Sequence, residues 1–116
     1  MKKIFGSVAC IVVLVIACSK SSDKPSDTGT VDCGTITTTF SANVSPLVTT
    51  SCAKSGCHAS GSTNGPGALT TYTQIFNNRA AIRAAVSTGE MPEDATFTAT
   101  QKAIITCWID AGAQNN

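Results

Sequence analysis

The run Cys52-Ala53-Lys54-Ser55-Gly56-Cys57-His58 is the densest cluster of reactive side chains in the 116-residue chain, and its reading decides the fold. Two cysteines followed at once by a histidine form a haem c attachment signal in the shorter Cys-x-x-Cys-His form. Two thiols bond the porphyrin's vinyl groups and the adjacent imidazole reaches the iron. Here four residues separate the cysteines. The longer spacer requires a bulged loop between two sulfurs that straddle one porphyrin edge, and Ser55-Gly56 supplies the flexibility for it.

The N-terminus places these cysteines outside the cytoplasm. Lys2 and Lys3 form a positive start, and Val8 to Ala17 is an apolar run too short to span a bilayer with ease. Val15-Ile16-Ala17-Cys18 closes it in the manner of a bacterial lipobox. Residues 1–17 thus read as a lipoprotein signal peptide, with Cys18 as the lipid-bearing first residue of the mature chain. The expected location is the cell envelope, lipid-anchored, periplasmic or at the outer membrane. Residues 18–32 are rich in Ser, Asp, Lys, Thr and Gly with hardly an apolar side chain, and read as a disordered tether.

Cys33 to Asn116 remains as one small domain, too short for a side-chain core alone to be more than marginal, so a staple or cofactor is expected. Four Phe, one Tyr and one Trp in the whole chain are few large side chains, and a buried porphyrin would fill volume that Thr, Ala, Ser and Gly leave open. Without Lys2 and Lys3 the chain carries six basic against seven acidic side chains. No basic stripe supports a nucleic-acid partner.

Helical periodicity dominates. Ser41 to Ser51 reads as a helix capped by Ser41, with Val44, Leu47 and Val48 on one stripe and Pro46 in the first turns. It would deliver Cys52 to the site. Gly61, Gly65, Pro66 and Gly67 make Ala59 to Thr71 a loop. Arg79 to Thr88 reads as a helix stopped by Gly89, with Ile82 and Val86 inward. The last helix begins at the capping box Thr98-Ala99-Thr100-Gln101, turns Ile104, Ile105, Trp108 and Ile109 toward the core, and ends by Gly112. No alternating strand is found.

Met91, in Gly89-Glu90-Met91-Pro92 between two helices, is the only methionine left once Met1 departs with the signal. A thioether held there by the following proline is a candidate sixth ligand for an iron bound by His58. Its bland reading is core filling.

Taken in order, Phe40-Ser41-Ala42-Asn43-Val44-Ser45-Pro46-Leu47, Cys52 to His58, Gly67-Ala68-Leu69-Thr70-Thr71-Tyr72, Gly89 to Pro92 and Trp108-Ile109-Asp110-Ala111-Gly112 resemble the small single-haem cytochrome c domains of exported Bacteroidota and Planctomycete proteins. The likeness covers residues 33–116. It implies a mostly α, cytochrome c-like helical domain with long loops around one covalent haem c. Thioethers would form at Cys52 and Cys57, with His58 and Met91 as axial metal ligands. The implied function is a mono-haem carrier of single electrons to a redox partner protein, not itself an enzyme, though able to serve as an electron-entry module beside one.

Cys33 and Cys107 are then left over, and in an oxidising compartment such a pair is expected to bridge. Two other readings stand beside the haem: a structural lipoprotein stapled by disulfides among Cys33, Cys52, Cys57 and Cys107, or a zinc site using Cys52, Cys57 and His58 with Cys33 or Cys107 as fourth ligand.

Overall fold

A computed structural model of the protein describes residues 31–116. The expected signal peptide, the expected lipid acceptor Cys18 and all but the end of the expected tether lie outside the described residues. Four α-helices follow in order: α1 Ser45–Ser51, α2 Tyr72–Asn77, α3 Arg79–Thr88 and α4 Ala99–Asp110, with a 3-10 turn at Cys33–Thr35 and a π-helical turn at Phe40–Val44 leading into α1. Among the described residues there is no strand, so the expectation of a mostly α domain with long loops holds at that level.

Local chemistry explains each helix end. α4 starts at Thr98, whose hydroxyl accepts from the Gln101 amide while the Gln101 side chain accepts from the Thr98 amide, the reciprocal cap expected from the sequence. α3 stops at Gly89, which takes a left-handed φ of 81° that a residue with a Cβ resists. The first helix differs from expectation. Its cap is Thr39, not Ser41: the Thr39 hydroxyl accepts from the Ala42 amide, and the Asn43 side chain accepts from the Thr39 amide at 2.9 Å. The opening turn is wide, with the Ser45 amide reaching back to Phe40. Pro46 has no N–H to contribute to a regular ladder at this point. α2 fills the stretch between the expected loop, which ended at Thr71, and the expected helix from Arg79, where no element was anticipated, and it is capped by a second reciprocal box between Thr71 and Gln74.

α3 packs on α4, while the π-helical turn rests on both α1 and α4. The core between them holds Val44, Val48, Val86, Ile105 and Trp108, each almost fully removed from water. Ile104 and Ile109, expected in the core, sit half-buried at its margin, and Ala103 and Cys107 take the buried positions beside Ile105 and Trp108. Phe40 meets Tyr72 edge-on at 5.0 Å between ring centres and leans on Trp108 at 5.5 Å. The polar ends of these rings fasten the C-terminus: Tyr72 Oη donates to the Ala113 carbonyl and Trp108 Nε1 to the Gln114 carbonyl, both at 2.9 Å. Asn116 accepts in turn from the Phe40 and Ser41 amides.

Cys33 and Cys107 are joined by a disulfide with 5.4 Å between their Cα atoms, 74 residues apart in sequence. It ties the first described turn to α4, as the count of left-over cysteines anticipated. On the surface, Arg83 of α3 grips Asp110 of α4 through two bonds of 2.6 and 2.8 Å. That hydrogen-bonded guanidinium lowers the Asp110 carboxyl below its ordinary range. A depressed carboxyl supports the fold above the unfolded carboxylate range, and the support is lost as pH falls through the lower folded value. Melting curves of wild type and Asp110→Asn should therefore separate at neutral pH and converge once the medium is acidic enough to protonate Asp110 in the folded state. Equal separation at both would show that the pair contributes nothing through charge.

Candidate functional site

α1 ends by handing Cys52 to a knot of turns. The Cys52 amide still bonds to Val48 at 2.8 Å, after which Cys57 reaches back to Lys54, His58 to Cys52 and Ala59 to Lys54, at 3.0, 3.0 and 3.2 Å. Gly56 makes the reversal with a φ of 82°. The spacer is therefore the bulged loop that its length requires. Asn64 fixes it by donating to the Gly56 carbonyl at 2.8 Å, and the Ser62 hydroxyl donates to the Cys57 carbonyl.

His58 is buried, with its Nδ1 at 2.9 Å from the Gly67 carbonyl. A carbonyl only accepts, so in the neutral ring the proton sits on Nδ1 and Nε2 carries the lone pair. Gly67 earns its identity here: its φ is 86°, and an added Cβ would come within 3.3 Å of the Ser62 carbonyl. The Leu69 amide closes the loop on the His58 carbonyl at 2.9 Å.

Beyond α3, Gly89 turns the chain back along the same region. Met91 is half-buried, and its amide is anchored to the Ala85 carbonyl at 3.1 Å. The result is an open cleft of about 620 Å³, of a size that holds small organic ligands. Cys52, Cys57 and His58 line one wall, Ile82 and Val86 of α3 another, and Met91 to Asp94 a third. All four residues singled out from the sequence are thus brought to one cleft. Two contributors were not foreseen: the Gly67 carbonyl that orients His58, and an ion pair of 2.8 Å between Lys54 and Asp94 that joins two rims of the cleft. The Gly65-Pro66-Gly67 turn was visible in the sequence, but its carbonyl's partner was not.

Cys52 and Cys57 are both half-buried and unbonded. Burial pushes the Cys52 thiol up, opposed by the Lys54 charge. An acid whose folded value is raised stabilises the fold below its unfolded value of about 8.5, and that contribution fades as pH climbs past it. In a Cys57→Ser variant, leaving Cys52 as the single free thiol among the described residues, alkylation of Cys52 by iodoacetamide should be slower and inflect at higher pH than in the same protein unfolded in urea. Identical profiles would show that the cleft does not shield Cys52.

Two sequence expectations are corrected. Cys33 and Cys107 are bonded to each other, so neither is available as a fourth zinc ligand. Although several acidic and thiol side chains surround the cleft, among the described residues no three His, Cys, Asp or Glu side chains converge to hold a metal ion. The zinc reading falls on both counts. The mono-haem electron carrier, with iron between His58 and Met91, is corrected on the same findings: the disulfide, with no gathered metal-binding group among the described residues, fits the disulfide-stapled reading better. The feature that organises the domain in this structure is the covalent staple.

No family model matches the chain, and neither does any curated protein or solved structure.

Proposed function

We propose that residues 33–116 form a disulfide-stapled structural domain of an envelope lipoprotein, held at the membrane by a lipid on Cys18 and presenting an apolar-walled cleft. The observation that carries this reading is the Cys33–Cys107 disulfide, which locks the start of the domain to its last helix across 74 residues. A small domain with few large side chains gains its persistence from such a cross-link rather than from core size. The cytochrome c-like likeness enters as a proposal about fold only. It rests on short helices around a loop-built cleft and on the order of the sequence motifs.

The test is the covalent state of the full chain exported through its own signal, in a host able to mature c-type cytochromes. Intact mass should show no porphyrin, with the Cys33–Cys107 disulfide present, and thiol counting after mild reduction should recover two alkylatable thiols, at Cys52 and Cys57. A mass increment of one porphyrin, with both thiols consumed, would overturn the structural reading in favour of covalent haem c. Cys18→Ala should release the chain from membranes, and its retention there would remove the lipid anchor from the proposal.

A further inference from the structure

Four cysteines belong to the folded domain, and the structure joins only two of them. The other two sit at either end of one tight loop. A bond of 3.0 Å links the Cys52 carbonyl to the His58 amide, the group immediately after Cys57. Each Cα lies two covalent bonds from an end of that hydrogen bond, so the Cys52 and Cys57 Cα atoms are within about 8 Å of each other. Disulfides form at Cα separations of roughly 4.4 to 6.8 Å. The remaining approach is small, and the loop has room to make it: around Gly56 an added Cβ would meet nothing within 4 Å. Both thiols open on the same cleft, so an exchange reagent that reaches one reaches the other.

We propose that Cys52 and Cys57 are a dithiol–disulfide couple, closing a second, local bridge beneath the cleft when the envelope is oxidising. This deepens the disulfide-stapled reading and rests on it. The thiolate of one cysteine attacks a disulfide-bearing oxidant, a protein disulfide or a small-molecule disulfide, and expels one of its sulfurs as a thiol. The second cysteine then attacks the mixed disulfide and expels the other. Two S–H bonds are lost, one S–S bond forms, and the two electrons and two protons leave on the reduced oxidant. The bridge would withdraw both thiols from the cleft wall and clamp the turns that carry His58. The two disulfides differ in kind. Cys33–Cys107 closes a long loop and involves a buried cysteine, whereas the local pair is half-buried at an open cleft, the setting of a labile bond.

The full chain is equilibrated in glutathione buffers of graded oxidised-to-reduced ratio, acid-quenched, alkylated and weighed. The expected result is a single transition from two labels at Cys52 and Cys57 to none, with loss of two hydrogens from the chain mass and no bound glutathione, while Cys33 and Cys107 stay unlabelled throughout. Cys52→Ser should convert that end state into glutathione held on Cys57. Stable glutathione adducts on both wild-type cysteines, or two labels persisting in the most oxidising buffer, would overturn the couple and leave the structural reading intact. A porphyrin increment on the starting protein would instead overturn the structural reading itself, and the couple with it.

Discussion

Replacing Cys33 with alanine is expected to produce one of the two largest losses in stability. Cys107 is 5% exposed, and in the variant it remains in place as a small apolar thiol, so the change reports the cross-link rather than a hole in the core. In the chain-entropy account, a closed loop of this length restricts the unfolded ensemble by roughly 4 kcal/mol, less whatever residual structure that ensemble keeps. For a domain of this size each kcal/mol moves the midpoint by about 4 to 8 °C, so Tm should fall by something on the order of 15 to 30 °C. Reduction of the wild type should give a loss of the same size. A fall of only a few degrees in both cases would mean that the unfolded chain is already compact around this pair, and that the staple is not what sustains the domain.

The sequence and structure agree where the signal is local. Thr98 with Gln101, and Gly89 after Val86, mark their helix ends through contacts three or four residues long, and both ends fall where expected. α2 carries the same reciprocal cap at Thr71 and Gln74, yet it is short and follows a Gly- and Pro-rich stretch, so its signal was outweighed by its neighbours. At α1, Ser41 has the chemistry of a good cap, but Thr39 and Asn43 cap each other and open the helix two residues earlier. The fastening of the C-terminus could not be read at all: the Phe40 amide and the Asn116 side chain meet across 76 residues, and nothing in either local sequence announces the other.

For the cleft, chemistry and position separate. Cys52, Cys57, His58 and Met91 were each legible as residues that belong together, and they share one cleft. What they do there was not legible. The motif brought with it an expectation of iron-centred electron carriage, whereas the arrangement of donors and the formed disulfide support a stapled domain. Spacing reports which groups a loop collects. It does not report how closely they converge, which depends on bonds such as His58 to Gly67 that are set by the turn between them.

The second large effect concerns Trp108. It is 2% exposed, the bulkiest of the nearly inaccessible side chains, and it touches Phe40 on one side and Tyr72 on another. Trp108→Ala removes that contact area and leaves a cavity that short helices joined by long loops fill only in part, at a cost of about 3 to 5 kcal/mol. It also strands the Gln114 carbonyl, which loses the indole N–H that anchors the tail. Trp108→Phe separates the two contributions, since it keeps most of the ring packing and removes the donor. The alanine variant should be largely unfolded at room temperature when the Cys33–Cys107 disulfide is reduced, and folded but with a strongly lowered Tm when it is intact, as followed by far-ultraviolet circular dichroism. The phenylalanine variant should lose far less in both states, with faster amide exchange confined to the C-terminal residues after α4. If alanine and phenylalanine variants melt together, the indole hydrogen bond outweighs the packing, and the C-terminal tail rather than the aromatic cluster is what closes the core.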